Sequence, residues 1–380
     1  MLSHILHRAG ISSIVVERGN ADHIATRLPA GGLEHGTVEL IKRVGLGKRL
    51  QELAMTVHAT DFRFANSAHR ISLDEVTGHH FTIYPRYEFV SDLLNARSET
   101  QEPVLFDSAV VALEGIESGR PIIHFENEAG LSRIECDFIA GCDGYHGISR
   151  RSIPAAVQTH YEENYPFSWL GILVDVPPST TEIAYSCHER GFAMNSFRAA
   201  TVSLMCLQCE PNDKVENWSD NQIWDELHVR LNVPNRPEVA EGPILQRSIK
   251  PMRNFVTEPM SYGRLFLVGD AAHIVPLTGA KGLNSAMYDA ALLGSAFIAH
   301  YNCNSSVELE RYSDDCLRRT WQVQRFAADM CKSLHQFPNS SAFERRVRRA
   351  HLEYLTRTET GQRWYAENFV GLPYAFDRIQ

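Results

Sequence analysis

Apolar positions along this chain change their period several times, and the order of the changes predicts alternating helices and strands followed by a helical end. Residues 1–10 read as the tail of an amphipathic helix that stops at Gly10. Residues 13–18 continue as a short β-branched strand, Ser-Ile-Val-Val, closing on Glu17 and Arg18. Residues 56–81 alternate like antiparallel strands, and a helix begins near 84–94 with Arg86 close to its start. Residues 104–114, 121–126 and 133–140 read as three strands, and 167–208 as a separate antiparallel sheet. An amphipathic helix over 218–231 is entered at Ser219-Asp220. The four-residue apolar run after Arg264 reads as a buried strand. It leads into Gly269-Asp270 and then paired glycines that open a helix near Asn284. Beyond that point 286–300, 306–334 and 341–356 are helical.

Composition narrows the class of protein. A chain of 380 residues exceeds the usual span of one hydrophobic core. The net charge of −9 carries no long single-sign block, which argues against a nucleic-acid surface. No run approaches the length of a membrane span, and the first residues lack the apolar core of a secretory signal. Eight scattered cysteines without a metal-binding spacing fit reduced thiols and a cytoplasmic location, and no metal is expected.

The candidate chemistry lies at the strand ends. A helix, a glycine turn and a strand ending in Glu17 form the second half of a nucleotide-binding βαβ unit, whose acid holds a ribose hydroxyl pair. The opening strand and G-x-G-x-x-G turn of such a unit are expected in roughly the fifteen residues before Met1, so the chain reads as cut, or begun late. Asp270 closes a second strand, where a carboxylate can accept sugar hydroxyls beside the N–H groups of a helix start. Asp143-Gly144 closes a third, beside His146 and Arg150. These two turns are expected to face one dinucleotide.

Together Glu17-Arg18, Arg27, the run from Cys142 to Arg150, Gly269-Asp270-Ala-Ala-His-Ile-Val-Pro and the ending Ala366-Glu-Asn-Phe-Val-Gly-Leu-Pro-Tyr374 resemble the single-component FAD-dependent aromatic hydroxylases over nearly the whole chain. The resemblance implies an α/β fold (α+β by some schemes). Its parts are a Rossmann-like FAD-binding domain (1–56, 82–161 and 264–300) lacking its first strand and Gly-rich loop, a mixed-sheet substrate domain (57–81 and 162–263) and a helical C-terminal region (301–380). It implies FAD as cofactor, NADPH or NADH as reductant and O2 as co-substrate. The implied reaction hydroxylates a small aromatic carboxylate ortho to its hydroxyl, 4-hydroxybenzoate to 3,4-dihydroxybenzoate, and a homodimer is implied as well.

The same resemblance assigns residues. Glu17, Arg18, Arg27, Arg86, Asp143, Asp270, Gly279, Gly282, Leu283 and Asn284 fall on the FAD site, and His146, Arg150 and Arg253 on the NAD(P)H site. Arg198 matches the arginine that grips the substrate carboxylate, with Ser196 beside it. Tyr185 matches the tyrosine that bonds the para oxygen, and His58 the outer histidine of its proton relay.

Three positions depart from the family pattern. Cys206 stands where a second tyrosine contacts the carboxylate, Phe369 where a tyrosine relays the proton, and Leu277 where a proline carbonyl faces the substrate oxygen. A phenyl ring passes no proton, so slow turnover of 4-hydroxybenzoate is expected, or a preference for 4-aminobenzoate or a dihydroxybenzoate. Pro29, Gly19 and His23 leave the choice between NADPH and NADH open. The competing expectation is a non-catalytic remnant that cannot retain FAD.

Overall fold

The computed structural model describes residues 1–21, 31–374 and 379; Arg27, His23 and Pro29 lie outside them. Helix α1 (Leu2–Arg8) buries Leu2, Ile5 and Leu6, and Gly10 at φ 74° makes the left-handed turn that ends it. Strand β1 (Val15–Val16) follows, and then β2 (Gly32–Leu33), α2 (His35–Arg43), α3 (Gly47–Leu53) and β3 (Met55–Val57).

The stretch read as alternating strands holds β4 (Ala59–Phe64), β5 (Ser67–Ser72), a short helix α4 (Leu73–Thr77) and β6 (Phe81–Ile83). The helix was not legible as strand pattern because its ends are set by single residues. The Ser72 side chain accepts from the Glu75 N–H, and Gly78 turns left-handed at φ 75°. All six residues of β4 are buried, although alternation implies one wet face. Asp61 and Arg63 make this possible by pairing at 3.0 Å, with Arg236 2.9 Å from the same carboxylate. Strands β2, β6 and β3 form a small antiparallel sheet.

Helix α5 (Arg86–Ser98) leads to β7 (Val104–Leu105), which pairs with β1 in parallel. Residues 104–141 contain five strands rather than three. Turns at Asp107 (φ 49°) and Gly130 (φ 96°) separate β7, β8 (Ala109–Glu114), β9 (Ile122–Asn127) and β10 (Gly130–Glu135), the last three forming an antiparallel sheet. Strand β11 (Ile139–Gly141) comes next, followed after the Asp143 turn by the one-turn helix α6 (Ser149–Ser152).

An eight-stranded mixed sheet makes up the other half. It draws on β4 and β5 together with β12 (Thr159–Val174), β13 (Ile183–His188), β14 (Gly191–Ala199), β15 (Val202–Cys209), β16 (Ile244–Glu258) and β19 (His273–Ile274). The order is β19-β16-β12-β15-β14-β13-β4-β5, antiparallel throughout except where β13 meets β4. Alternation divides its faces. Ala193, Met205 and Leu207 pack under α7 (Asp220–Leu231), which Ser219 caps reciprocally with Gln222. Tyr185, Phe192, Met194 and Cys206 look the other way, into a core shared with the C-terminal helices.

After β16 the chain makes β17 (Ser261–Tyr262) and β18 (Leu265–Leu267), and β18 pairs in parallel with β11. Helix α8 (Lys281–Cys303) starts three residues before the expected Asn284. Ala280 takes a left-handed φ of 54° and so lets the first turn close early. Its Gly294 receives α1 closely, since a Cβ there would lie 2.8 Å from Ile5 Cγ2. Helices α9 (Val307–Leu334), α10 (Ala342–Arg357) and α11 (Glu359–Val370) complete the chain. Among the described residues no helix is long and apolar enough to cross a membrane.

His335, just past α9, joins the two halves of this core. Its ring stacks on Phe167 at 4.4 Å, accepts from Trp169 Nε1 at Nε2 (2.6 Å), and lies with Nδ1 3.0 Å from the Cys331 carbonyl. Both ring nitrogens are therefore satisfied only in the neutral form, because a proton on Nε2 would oppose the Trp169 N–H. Burial holds its pKa down to about 3. The unfolded chain binds this proton and the folded one does not, so stability is full above the unfolded value of about 6.5 and falls as the pH drops toward about 3. Thermal unfolding followed across that window should show a loss of a few kcal/mol, and His335→Phe should flatten the slope.

Candidate active site

The Gly269-Asp270 turn is held from behind by Asp289. One carboxylate oxygen of Asp289 accepts from the Gly269 N–H (2.9 Å) and lies 2.7 Å from His273 Nε2. Burial alone would lower the His273 pKa, but the charge of Asp289 overrides it and holds the value above the ordinary one. Gly269 has φ 63°, and a Cβ there would meet that of Ala286 at 2.8 Å. With Asp289 holding the turn, Asp270 is left to face outward. Its side chain is open to solvent at one edge, yet surrounding protein raises its pKa against the pull of His273, Arg86 and Arg253. Asp270, Arg86 and Arg253, far apart in sequence, thus lie near one another.

The second turn is tied to the first. Asp143 Oδ2 accepts from the Ser149 N–H at 2.8 Å, and a Cβ on Gly147 would lie 2.0 Å from the Asp143 carboxyl carbon, so the loop closes only with glycine there. Arg150 donates to the Ala271 carbonyl (2.9 Å) and to that of Tyr145 (2.7 Å). It therefore bridges the two turns expected to face each other. The guanidinium groups of Arg150 and Arg253 lie 4.5 and 3.9 Å from the Tyr145 ring centre, and His146 meets the ring edge-on at 5.1 Å. Tyr145, not singled out from sequence, is the hub of the group; its place beside His146 was the available signal.

Glu17 ends β1 with one carboxylate oxygen accepting from the Gly19 N–H at 2.8 Å, next to the exposed Arg18. Arg86 is the exposed first residue of α5. Gly279 (φ 82°) and Ala280 swing the chain into α8, and a Cβ on Gly282 would make only an ordinary contact, with Val275 Cγ2 at 3.9 Å. The first N–H groups of α8, from Lys281 to Asn284, stand at this open end. The Asn284 side chain is committed elsewhere. It donates to the Gly32 and Ala280 carbonyls and accepts from the Glu34 N–H and the Thr37 hydroxyl. Any contact of Asn284 with a cofactor thus runs through its main chain, as it does for its neighbour Leu283.

These groups fit FAD. Carboxylates end two strands from separate parallel pairs, glycine backbone opens onto a helix start, and two arginines lie near the Asp270 carboxylate.

The inner face of the large sheet carries the second set. Cross-strand register aligns Tyr185 with Met194 and Met194 with Cys206. Ser196 lies two residues further along the same face, and the register slips between Phe197 and Ala199. Arg198 is the extra residue in that bulge, a device that re-aims a side chain. Its guanidinium makes no hydrogen bond or ion pair among the described residues, and burial lowers its pKa against the pull of Cys206. Burial also pushes the Cys206 thiol up to about 12, so it stays neutral. The Tyr185 phenol is raised well above its ordinary value, by burial and then by Cys206, and remains protonated as a donor.

Phe369 closes this space from α11, 6.4 Å from the Tyr185 ring and 4.8 Å from Phe81. His58 is largely exposed, with Nδ1 bonded to Asp74, and does not touch Tyr185 directly. Leu277 is 44% exposed on the loop between β19 and α8, outside the buried lining.

The comparisons with known proteins bear on this site directly. Residues 1–327 match the family model described as an FAD binding domain. The p-hydroxybenzoate hydroxylase of Acinetobacter baylyi is 42% identical over 375 residues, covering 98% of this chain and 93% of that protein. The chain belongs to the FAD-dependent aromatic hydroxylases. FAD is therefore its cofactor, and Asp270 lies within the residues that match the FAD binding domain. Solved structures share the fold: p-nitrophenol 4-monooxygenase from Pseudomonas putida superposes with a TM-score of 0.82 at 15% identity, covering 96% of this chain and 93% of that one. Aklavinone-11 hydroxylase in complex with FAD and aklavinone superposes with a TM-score of 0.73 at 18% identity, covering 88% and 66%.

One network near the site escaped the sequence. Buried Glu34 accepts from Lys281 Nζ at 2.7 Å and from Arg319 at 3.2 Å. Lys281 also donates to the carbonyls of Asn368 and Phe369. The partners lie 247 and 285 positions from Glu34, and no periodic pattern links residues so far apart.

Proposed function

We propose that this hydroxylase acts on a para-substituted benzoate, foremost 4-hydroxybenzoate, and yields 3,4-dihydroxybenzoate using NADPH or NADH and O2. The observation that carries the reading is Arg198, a half-buried guanidinium with no protein partner among the described residues, close to Cys206, which shares a sheet face with the protonated phenol of Tyr185. A half-buried cation left unpaired by the protein calls for an anionic ligand, and a planar guanidinium suits a carboxylate. Ser196 adds a hydroxyl to that contact, and Cys206 a weak thiol donor where a phenol would be stronger. Tyr185 donates to the para oxygen and favours its ionised form, which makes the ortho carbon electron-rich. Phe369 and the Phe81 wall exclude water from the ring.

Bound FAD supplies hydride acceptance and dioxygen activation. Toward it, Glu17 is positioned for the ribose, Asp270 for the ribityl chain, and the main chain of Gly279, Gly282, Leu283 and Asn284 for the isoalloxazine and pyrophosphate side. Arg18 and Arg86 add positive charge, and Asp143 holds its turn. His146, Arg150 and Arg253, gathered on Tyr145, are suited to the phosphates of NADPH or NADH. Leu277 lends its carbonyl at the mouth of the pocket.

Titrating the protein with 4-hydroxybenzoate, 4-aminobenzoate, 2,4-dihydroxybenzoate and neutral 4-hydroxybenzamide tests the assignment. The benzoates should bind, and the amide should bind about a hundredfold more weakly for want of a charge to meet Arg198. Equal affinity for amide and acid would remove the carboxylate role.

A second copy of the chain is proposed to cover α10, which carries an exposed apolar stripe of Phe343, Val347 and Tyr354. Light scattering should give a dimer for the native chain and a monomer for Phe343→Glu combined with Val347→Glu.

A further inference from the structure

A recess of about 490 Å³ lies between residues 178–182, which lead into β13, and residues 235–237, which follow α7. Arg70, Ser179, Thr180, Thr181, Glu182 and Arg236 give it a polar lining. It stands on the side of the large sheet away from Tyr185. Asn195 donates to Ser179 Oγ at 2.9 Å, whereas the next residue on the strand, Ser196, points to the opposite face.

Charge does not balance around this recess. Asp61, 1% exposed, accepts from Arg63 Nε at 3.0 Å and from Arg236 Nε and Nη2 at 2.9 and 3.1 Å. One carboxylate thus serves two guanidiniums, and Arg63 is buried as well. Glu182 is engaged by Arg70 Nε at 2.5 Å. Three positive charges in this network therefore meet two negative ones.

The hydrogen-bonding capacity left over is of one kind. Among the described residues Arg70 is bonded through Nε alone, which leaves Nη1 and Nη2 free to donate. Arg236 Nη1 reaches only the Asn235 carbonyl, at 3.3 Å, where the left-handed φ of 62° at Asn235 turns the loop. Thr180 Oγ1 accepts from the Glu182 N–H at 3.1 Å, and Ser179 Oγ accepts from Asn195, so both hydroxyls keep a proton to give. Thr181 adds a third hydroxyl. Both carboxylates of the network are already engaged, and what faces the recess is a set of donors with one positive charge in excess. Such a set suits an oxyanion, which a guanidinium edge meets with two parallel bonds.

We propose that this recess is a second ligand site, which binds the phosphate or carboxylate group of a small molecule. The free edge of Arg70 holds two oxygens of that group, and the hydroxyls of Ser179, Thr180 and Thr181 meet the rest. The ligand supplies the negative charge that Asp61, shared between two arginines, leaves wanting. A space of this size also admits the organic body that carries the group.

Amide NMR of the nitrogen-15-labelled, FAD-loaded chain reads the site residue by residue, with inorganic phosphate and succinate titrated separately at neutral pH. Saturable shifts are expected at Thr180, Thr181, Glu182 and Asn235, with a Kd of about 5 mM or tighter for at least one probe. Saturation by phosphate alone assigns the site to phosphorylated ligands, and by succinate alone to carboxylates. Arg70→Gln should weaken the binding at least about tenfold, while the unliganded protein unfolds at the native temperature. Thr181→Val leaves every charge in place and should weaken it about fivefold; it decides alone if Arg70→Gln is unstable. Binding weaker than about 5 mM for both probes, or shifts confined to the neighbourhood of Arg150 and Arg253, would overturn the site. Native affinity in a folded Arg70→Gln protein would overturn it equally.

Discussion

Arg198→Ala should weaken 4-hydroxybenzoate binding by two to three orders of magnitude and leave the protein as stable as before, or slightly more so. The two halves of this expectation have one cause. Among the described residues the guanidinium is satisfied by nothing in the protein, so folding bears its desolvation without a compensating pair. Removing it relieves that cost. A bound carboxylate loses two charge-assisted hydrogen bonds, each contributing about 1.5–3 kcal/mol, and about 1.4 kcal/mol corresponds to a decade. Calorimetric titration gives the affinity and thermal unfolding the stability. Arg198→Lys should recover only part of the binding, because an ammonium cannot make the planar two-point contact. An arginine that merely pinned the bulge of β14 would show the opposite pattern, with lower stability and little change in affinity.

Glu34→Leu should cost about 3–5 kcal/mol of stability, because it leaves Lys281 and Arg319 buried without their shared carboxylate. Lys281 is fully enclosed, and burial lowers its pKa while Glu34 opposes the shift, so the ammonium depends on this partner. It also sits at the first residue of α8, where the helix dipole disfavours a cation. The loss is a large share of the 5–15 kcal/mol that ordinarily separates folded from unfolded chains. Urea unfolding measures it. Glu34→Leu combined with Lys281→Met should regain part of the loss, since one uncompensated charge goes with the carboxylate. The change should reach the pocket too, because Lys281 holds the Phe369 carbonyl and with it the ring that closes over Tyr185.

How much of this was legible in the sequence follows from the range of the interactions. The ends of β1 and β18, the capped start of α7 and the glycine turn after α1 are fixed by residues a few positions apart, and they read correctly. The gathering of His146, Arg150 and Arg253 followed from family motifs, but the aromatic ring they gather on did not, since nothing local marks Tyr145 as a platform. Asn284 was legible as part of a glycine-rich turn that opens a helix. That its side chain instead clamps Gly32, Ala280, Glu34 and Thr37 depends on a contact across some 250 residues. The short helix α4 and the wholly buried β4 were misjudged for a related reason. Period-two alternation assumes a wet face, and the pairing of Asp61 with Arg63 and Arg236 makes burial of charged residues tolerable there.

The most direct test of the account is product analysis with 4-hydroxybenzoate, FAD, NADPH or NADH and isotopically labelled dioxygen. The account predicts 3,4-dihydroxybenzoate carrying one labelled oxygen, formed in proportion to the reductant consumed and lost in Arg198→Ala. Reductant consumption yielding only peroxide, or hydroxylation at another ring position, would contradict it.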